Sequence, residues 1–370
     1  MGKFDISETI GLDLVENRKY SIVINGFRIN KVRRFTIRRS IENFVDTFEI
    51  QLGNIRNEVS PYVLLADKVQ FIRNDKDIIF EGIIEKKITS SDNVDMTITI
   101  TGRDTIIDTI NTSAPFITFK NTTDNAIITK MVEATGRKYD LNLEEARKVS
   151  EYTVGPGDSI AAVLDGVAKL NEFFIWKRGN TIIKSSIAKD GQPVYAYHIG
   201  QGDYDDSNSE RHDSGSNILK YNSEESIEDA RTEIQGFSQS GGKSKANLKT
   251  TVSVGIYKTN AFQKMIRDGN GHNGSSSRII RKATMSVSGK NLADCQREVE
   301  VAAKKSEPKV RISLTVKGFQ DFELNDIISL THYGEGINKN FVLTGIMYTL
   351  DEYNREVSEL TLQPLGCYPR

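Results

Sequence analysis

The run Asp268-Gly269-Asn270-Gly271-His272-Asn273 alternates oxygen-bearing side chains with glycines, which is what a calcium-binding loop needs. No downstream glutamate stands where a bidentate ligand would complete the coordination, so the run is read as a flexible loop and no metal site is assigned. Gly236 to Ser244 (GFSQSGGKS) comes close to a phosphate-binding loop, but Gly242 occupies the position that must carry the lysine. No nucleotide or other cofactor is therefore expected. The four histidines, His198, His212, His272 and His332, are scattered, and none forms a helical His-x-x-x-His pair, so neither a zinc site nor a His-based hydrolase is supported. Carboxylates are abundant, yet no pair stands out as a glycosidase acid and base. The single tryptophan, Trp176, falls in an expected hairpin rather than on a sugar-stacking platform. No catalytic, cofactor-binding or metal-ligating residue is assigned, and the chain is read as not being an enzyme. Arg33-Arg34 and Arg38-Arg39 form a basic cluster in a strand region. Alternation puts these charges on both faces, which favours an exposed strand protected from edge pairing over a contact to an acidic neighbour or to DNA.

The elements available to position such residues follow from composition and pattern. The 370 residues suffice for two to four modest domains. With 38% apolar and 27% charged residues the composition is that of a folded, somewhat polar protein. A net charge of −1 gives no bulk attraction for nucleic acid, and no sequence-specific nucleic-acid partner is expected. No run of eighteen apolar residues occurs, so stable membrane insertion is not expected. The first residues carry no apolar core of a secretory signal. Cys295 and Cys367 lie far apart in no metal-like spacing, which points to a reduced, cytoplasmically made chain. If it works elsewhere, it travels in an assembled particle.

Strands are expected at Tyr20 to Ile24, closed by the turn Asn25-Gly26, then at Val32 to Arg39, Asp46 to Leu52, Lys68 to Arg73, Ile78 to Lys87 and Val94 to Thr101. Thr123-Asp124 is expected to cap a helix carrying Ile127, Ile128, Met131 and Val132, stopped at Gly136. Asp158 is expected to cap a second helix with Ile160, Val163, Leu164, Val167 and Ala168 on its apolar face, followed by a hairpin turning at Arg178-Gly179-Asn180. Further strands are expected at Ile218 to Ser223 and Thr232 to Phe237, and mobile insertions at Ser238 to Lys249 and Arg267 to Ser277. The last part carries a helix and four strands, at Lys309 to Val316, Asp326 to His332, Asn340 to Leu350 and Val357 to Gln363. The resulting fold class is mainly β with an α+β insert: two related β-barrel domains plus a small α+β domain. The expected boundaries are an N-terminal arm at 1–19, a first β-barrel at 20–114, the small α+β domain at 115–187, a linker at 188–217, and a second β-barrel at 218–370. That second barrel carries a long insertion at about 238–277 and a helix at about 290–304.

The two β regions repeat. Asp67 opens DKVQFIRNDKDIIFEGIIEKKITSSDNVDMTITITG and Asp326 opens DIISLTHYGEGINKNFVLTGIMYTLDEYNREVSELTLQP. Each gives a short strand opened by Asp, a polar turn, an apolar run broken by glycine (Gly82, Gly345), a charged turn and an alternating strand. Two similar barrels in one chain can alternate around a ring, so that three chains give a pseudo-sixfold ring.

Ser40-Ile41-Glu42 with Asp46 to Ile50, Thr101-Gly102-Arg103-Asp104 with Ile107-Asp108, Asp158-Ser159-Ile160 through Gly179-Asn180-Thr181, and the segments Ala283 to Lys305 and Lys309 to Pro364 follow one another in an order that resembles the baseplate hub proteins of Mu-like contractile phages. Those are related to the late-control D proteins and to the hub half of type VI secretion spikes. The resemblance runs from about residue 20 to near the end of the chain. It implies a virion structural protein, a homotrimer acting as symmetry adaptor between the tail tube and a membrane-piercing spike, with other baseplate proteins as partners. Its place would be the virion tail or baseplate, or a tail-like bacteriocin or injection particle, assembled in the host cytoplasm. Since the chain stops soon after the second barrel, the spike is expected as a separate protein. The stretch 241–277 is longer than the family minimum, either a contact to a neighbouring tail protein or a tolerated insertion. The other reading carried forward is a tail-associated cell-wall hydrolase or carbohydrate-binding module.

Overall fold

Strand-forming alternation dominates the computed structural model, which describes residues 20–29, 32–53, 63–73, 77–91, 96–199, 218–226, 231, 233–241, 250–258, 282–286, 292–306, 309–351, 353 and 355–367. The chain divides into two units: residues 1–37, 46–107 and 349–354 form one, and 38–45, 108–348 and 355–370 the other.

The first unit is a sheet of β1 (Tyr20–Ile24), β2 (Phe27–Ile29), β3 (Val32–Ser40), β4 (Thr47–Leu52), β5 (Lys68–Arg73), β6 (Asp77–Ser91) and β7 (Met96–Asp104), hydrogen-bonded in the order β3-β4-β7-β6-β5-β1-β2. Asn25 and Gly26, with φ of 49° and 84°, make the tight β1–β2 turn that their sequence announces. Alternation in β4 puts Phe48, Ile50 and Leu52 inside. Phe48 joins Phe35, Phe71 and Phe80 in an edge-to-face cluster with centroids 5.1 to 6.0 Å apart. Gly82 lies beneath it: a Cβ there would stand 2.7 Å from the Phe48 ring and 2.7 Å from the Arg103 carbonyl oxygen.

The second unit continues with α1 (Asp108–Asn111), β8 (Thr118–Thr123), α2 (Asp124–Glu133), β9 (Asp140–Leu143), β10 (Lys148–Thr153), α3 (Ile160–Asn171), β11 (Phe174–Arg178), β12 (Thr181–Ser185) and β13 (Tyr195–Ile199). After these come β14 (Ile218–Ser226), β15 (Glu233–Gly241), β16 (Thr250–Lys258), β17 (Lys282–Ser286), α4 (Leu292–Lys305), β18 (Lys309–Lys317), β19 (Ile327–His332), β20 (Ile337–Leu350) and β21 (Glu356–Pro364). Its main strands pair in the order β14-β18-β21-β20-β19-β13, with β13 parallel to β19. Leu314, Val342, Leu343, Leu360 and Leu362, all without solvent exposure, supply the core. Two small sheets, β8–β10 and β9–β12–β11, hold α2 and α3. A third, β16–β15–β17, packs Ile234 against Cys295, Val299 and Ala303 of α4.

Local signals in the sequence hold with small shifts. The Thr123 side chain caps α2 by accepting from the Ala126 N–H. On α3 the cap is Ser159, which accepts from Ala162 N–H, while Asp158 takes the Gly155 N–H at 2.7 Å and stabilises the turn before the helix. The expected insertion at Ser238 to Lys249 is in part a strand, since Ser238 to Gly241 pair with Thr250 to Ser253. A strand at Tyr195–Ile199 lies within the stretch read as a linker. Residues 1–19, 200–217 and 259–281 lie outside the described residues, and with them His212, His272 and the Asp268–Asn273 run. Among the described residues no helix is long and apolar enough to cross a membrane.

Candidate assembly surfaces

Among the described residues, several of those that suggested chemistry have their places in the strands and helices. Trp176 is buried on β11 at 5% exposure, and Cys295 is a buried thiol in the α4 core. His332 ends β19, its ring 4.6 Å from that of Tyr221, and its Nδ1 accepts the Glu335 N–H at 3.2 Å. His198, on β13, lies opposite Thr331. Among the described residues no group of His, Cys, Asp or Glu is arranged to hold a metal ion.

The basic cluster divides. Arg33, Arg34 and Arg38 are exposed, and Arg34 pairs with Glu49 at 3.3 Å, as expected of a solvated strand face. Arg39 is buried. Its guanidinium donates to the Lys177 carbonyl oxygen at 3.2 Å and meets Glu323 at 3.5 Å, and Glu323 also holds Arg178 at 3.1 Å. The expectation of an exposed face fails for Arg39 because Arg33 and Arg34 are exposed in succession. That shift of phase turns Phe35, Ile37 and Arg39 to the side where Val32 is buried. The acidic neighbour belongs to the same chain.

Sequence reading did not single out Lys184, which β12 carries inward at 2% exposure. Its ammonium lies 2.8 Å from Asp124 Oδ2, donates to Asn125 Oδ1 and the Glu145 carbonyl oxygen, and sits 4.8 Å from the Phe173 ring centroid. Glu144 accepts from Ser185 Oγ and Ser186 N, and Arg147 donates to Ser186 Oγ. Asn325 extends this network, donating to the Ser186 carbonyl oxygen at 3.1 Å and accepting the Ala188 N–H at 2.9 Å. The only sequence signal for it was a lysine two residues after Ile182, a charge on the inward phase of its strand.

The repeat seen in the sequence is present as geometry. In the first unit Asp67 Oδ2 accepts the Leu64 N–H at 2.8 Å, Ala66 has a φ of 68° and donates to Ile84 O, and Ile84 N donates back to Asp67 O. In the second, Asp326 Oδ2 accepts the Glu323 N–H at 2.9 Å, Asn325 has a φ of 76° and donates to Leu343 O, and Leu343 N donates back to Asp326 O. Every bond recurs at one constant offset along the chain. The glycines do not share it: Gly82 precedes Ile84, whereas Gly345 follows Leu343, so they are separate features of the two strands. The turns also differ in cover. Leu64 and Leu65 are 60% and 61% exposed, while Leu324, in the place of Leu65, is 3% exposed.

No family model matches the sequence, and no curated protein matches it at a significant level. Solved structures do. A tail protein from Neisseria meningitidis MC58 aligns over 95% of this chain and 98% of its own, with a TM-score of 0.73 at 17% identity. The 43 kDa tail protein of prophage MuSo2 from Shewanella oneidensis aligns over 94% and 98%, with a TM-score of 0.72 at 12% identity. An E. coli component of the type VI secretion system, itself structurally similar to the T4 tail proteins gp27 and gp5, covers 94% of this chain with 79% of its own, at a TM-score of 0.56 and 11% identity. The segment order that suggested a tail protein is thus matched in three dimensions. Over nearly its whole length the chain has the fold of phage tail proteins.

Proposed function

We propose that the chain is a structural hub subunit of a contractile phage tail or tail-like particle, acting as a trimer that joins the tail tube to a spike. The observation that carries this is the duplicated turn at Asp67 and Asp326, one in each unit of a chain whose fold spans 98% of a tail protein. A chain with two similar β units presents quasi-equivalent surfaces twice per subunit, so three subunits offer six similar positions to a sixfold tube while leaving threefold symmetry for a spike. In this role the chain works mechanically, by burying well over ~2,000 Å² between subunits. The domain boundaries given by the sequence belong to the same proposal.

The test is to co-express the chain with its candidate spike protein, measure the mass of the complex by light scattering and average end-on views by electron microscopy. A threefold ring with six similar lobes is expected. A chain that stays monomeric with the spike present under every condition would overturn the reading and return attention to the cell-wall hydrolase or carbohydrate-binding alternative.

A further inference from the structure

Lys184 and Asp124 do not meet as an ordinary ion pair. Nζ lies 2.8 Å from Asp124 Oδ2, yet among the described residues Oδ2 accepts no hydrogen bond. The ammonium directs hydrogens instead to Asn125 Oδ1 at 2.8 Å and to the Glu145 carbonyl oxygen at 3.0 Å. Two of its three N–H directions are thus taken, and one is left for the carboxyl beside it. Because a C–O bond adds no more than ~1.25 Å, the nitrogen stands at most about 4 Å from the carboxyl carbon. Reacting atoms held ~3–3.5 Å apart are ready to bond, so a small slide of the lysine suffices.

The other carboxyl oxygen is held differently. Oδ1 accepts the main-chain N–H groups of Asn125 and Arg147, at 2.7 and 2.9 Å. Two backbone donors fixed on one oxygen stabilise the negative charge that grows there when a nucleophile adds to the carbon. Water is kept away: the Asp124 and Lys184 side chains are 0% and 2% exposed, and the buried Phe173 ring lies with its centroid 4.8 Å from Nζ. Two charges in such surroundings are costly to keep, and an amide would remove both.

We propose that Lys184 and Asp124 join in an amide cross-link that the chain makes on itself. One proton passes from the ammonium to Oδ2, and the free amine attacks Cγ. The N–C bond forms, and Oδ1 takes up the charge between its two N–H donors. A second proton moves from the nitrogen to Oδ2, the C–Oδ2 bond breaks and water leaves. Ammonium and carboxylate thus become one amide and one water, with no oxidant, reductant or co-reactant. The link ties the start of α2 to β12. It constrains the unfolded chain as a disulfide does, without an oxidising compartment. The inference stands apart from the hub reading.

The test is the intact mass of the purified full chain, dissolved in guanidinium, with a peptide map of its digest. The mass should lie about 18 Da below that of the sequence, the loss of one water. Fragmentation should find a branched peptide joining Asp124 to Lys184, stable to mild alkali. K184R keeps a cation beside Asp124 but cannot form the amide, so it should show the full mass and a lower Tm. If K184R does not fold, the branched peptide of the natural chain decides alone. A natural chain at full mass after days of warming, once folded, overturns the proposal. So does a water loss that maps to another residue, vanishes in alkali as a succinimide would, or persists in K184R.

Discussion

The Lys184 ammonium stands 2.8 Å from Asp124 Oδ2, with the two side chains at 2% and 0% exposure. Asp124 Oδ1 also accepts the main-chain N–H groups of Asn125 and Arg147, at 2.7 and 2.9 Å, so this carboxylate ties the start of α2 to the loop before β10. Removing one partner leaves the other charge buried and alone. K184M is expected to cost about 3–5 kcal/mol, read as a fall in the urea midpoint. K184M combined with D124N should cost clearly less than K184M alone, because the asparagine keeps an acceptor for the backbone donors without a charge. Equal losses for the single and double variants would mean that Lys184 acts only through packing.

Ala66 and Asn325 occupy the same place in the duplicated turn, both in the left-handed region. Alanine is strained there, whereas asparagine and glycine are tolerated. A66G should stabilise the first unit by about 0.5–1 kcal/mol, measured by denaturant unfolding. N325A should go the other way by about 2 kcal/mol, because it brings the same strain and also removes the bonds to Ser186 and Ala188.

Gly166, within α3, faces Tyr152: a Cβ added there would lie 2.4 Å from the phenol oxygen, which donates to the Val163 carbonyl oxygen. On an exposed helix G166A would gain about 1 kcal/mol of helix propensity. Here the clash should win and G166A should destabilise, with Y152F restoring much of the loss. Burial, with Asp158 and Asp165 adding to it, pushes the Tyr152 phenol up to about 12 from an ordinary value of 10.0. The folded state thus favours the neutral phenol. Its contribution to stability is full below the ordinary value and is lost as pH rises from there through about 12. Denaturant midpoints over that range should fall more steeply for the natural chain than for Y152F.

Arg39 and Arg103 both pair with glutamates, in opposite surroundings. The Arg103–Glu85 pair is short at 2.6 Å but its side chains are 37% and 32% exposed, so R103A should cost less than ~1 kcal/mol. Arg39 is 6% exposed, and R39A takes the buried donor from the Lys177 carbonyl oxygen and leaves Glu323 with Arg178 as its cation, which should cost about 2–3 kcal/mol. Thermal unfolding of the two variants side by side reads the contrast, and a loss in R103A as large as that in R39A would contradict it.

What could be read from residues alone was whatever depends on neighbours in sequence. The Asn25-Gly26 turn, the alternation of Phe48, Ile50 and Leu52, the Thr123 cap and the α3 stripe are local, and all are present. β8, β9, β10 and β13 escaped notice, because Thr118–Thr123 and Asp140–Leu143 are polar and short and are held as strands by their partners. Arg39 and Lys184 escaped for a related reason: their counter-charges, Glu323 and Asp124, are distant along the chain. The exposed pair Leu64-Leu65 looked like ordinary apolar sequence until its twin at Glu323-Leu324 showed what a covered version looks like.

The two turns are spelled Leu64-Leu65-Ala66-Asp67 and Glu323-Leu324-Asn325-Asp326, sharing a leucine and the closing aspartate. What recurs is a set of main-chain hydrogen bonds and one left-handed residue, and most side chains can drift around that frame. A protein built this way keeps its shape while its vocabulary turns over, as it does beside a tail protein of 17% identity and a TM-score of 0.73. Its kin are to be sought by the path of the backbone, and a search of any new genome for chains of this kind will do better with folded coordinates than with letters.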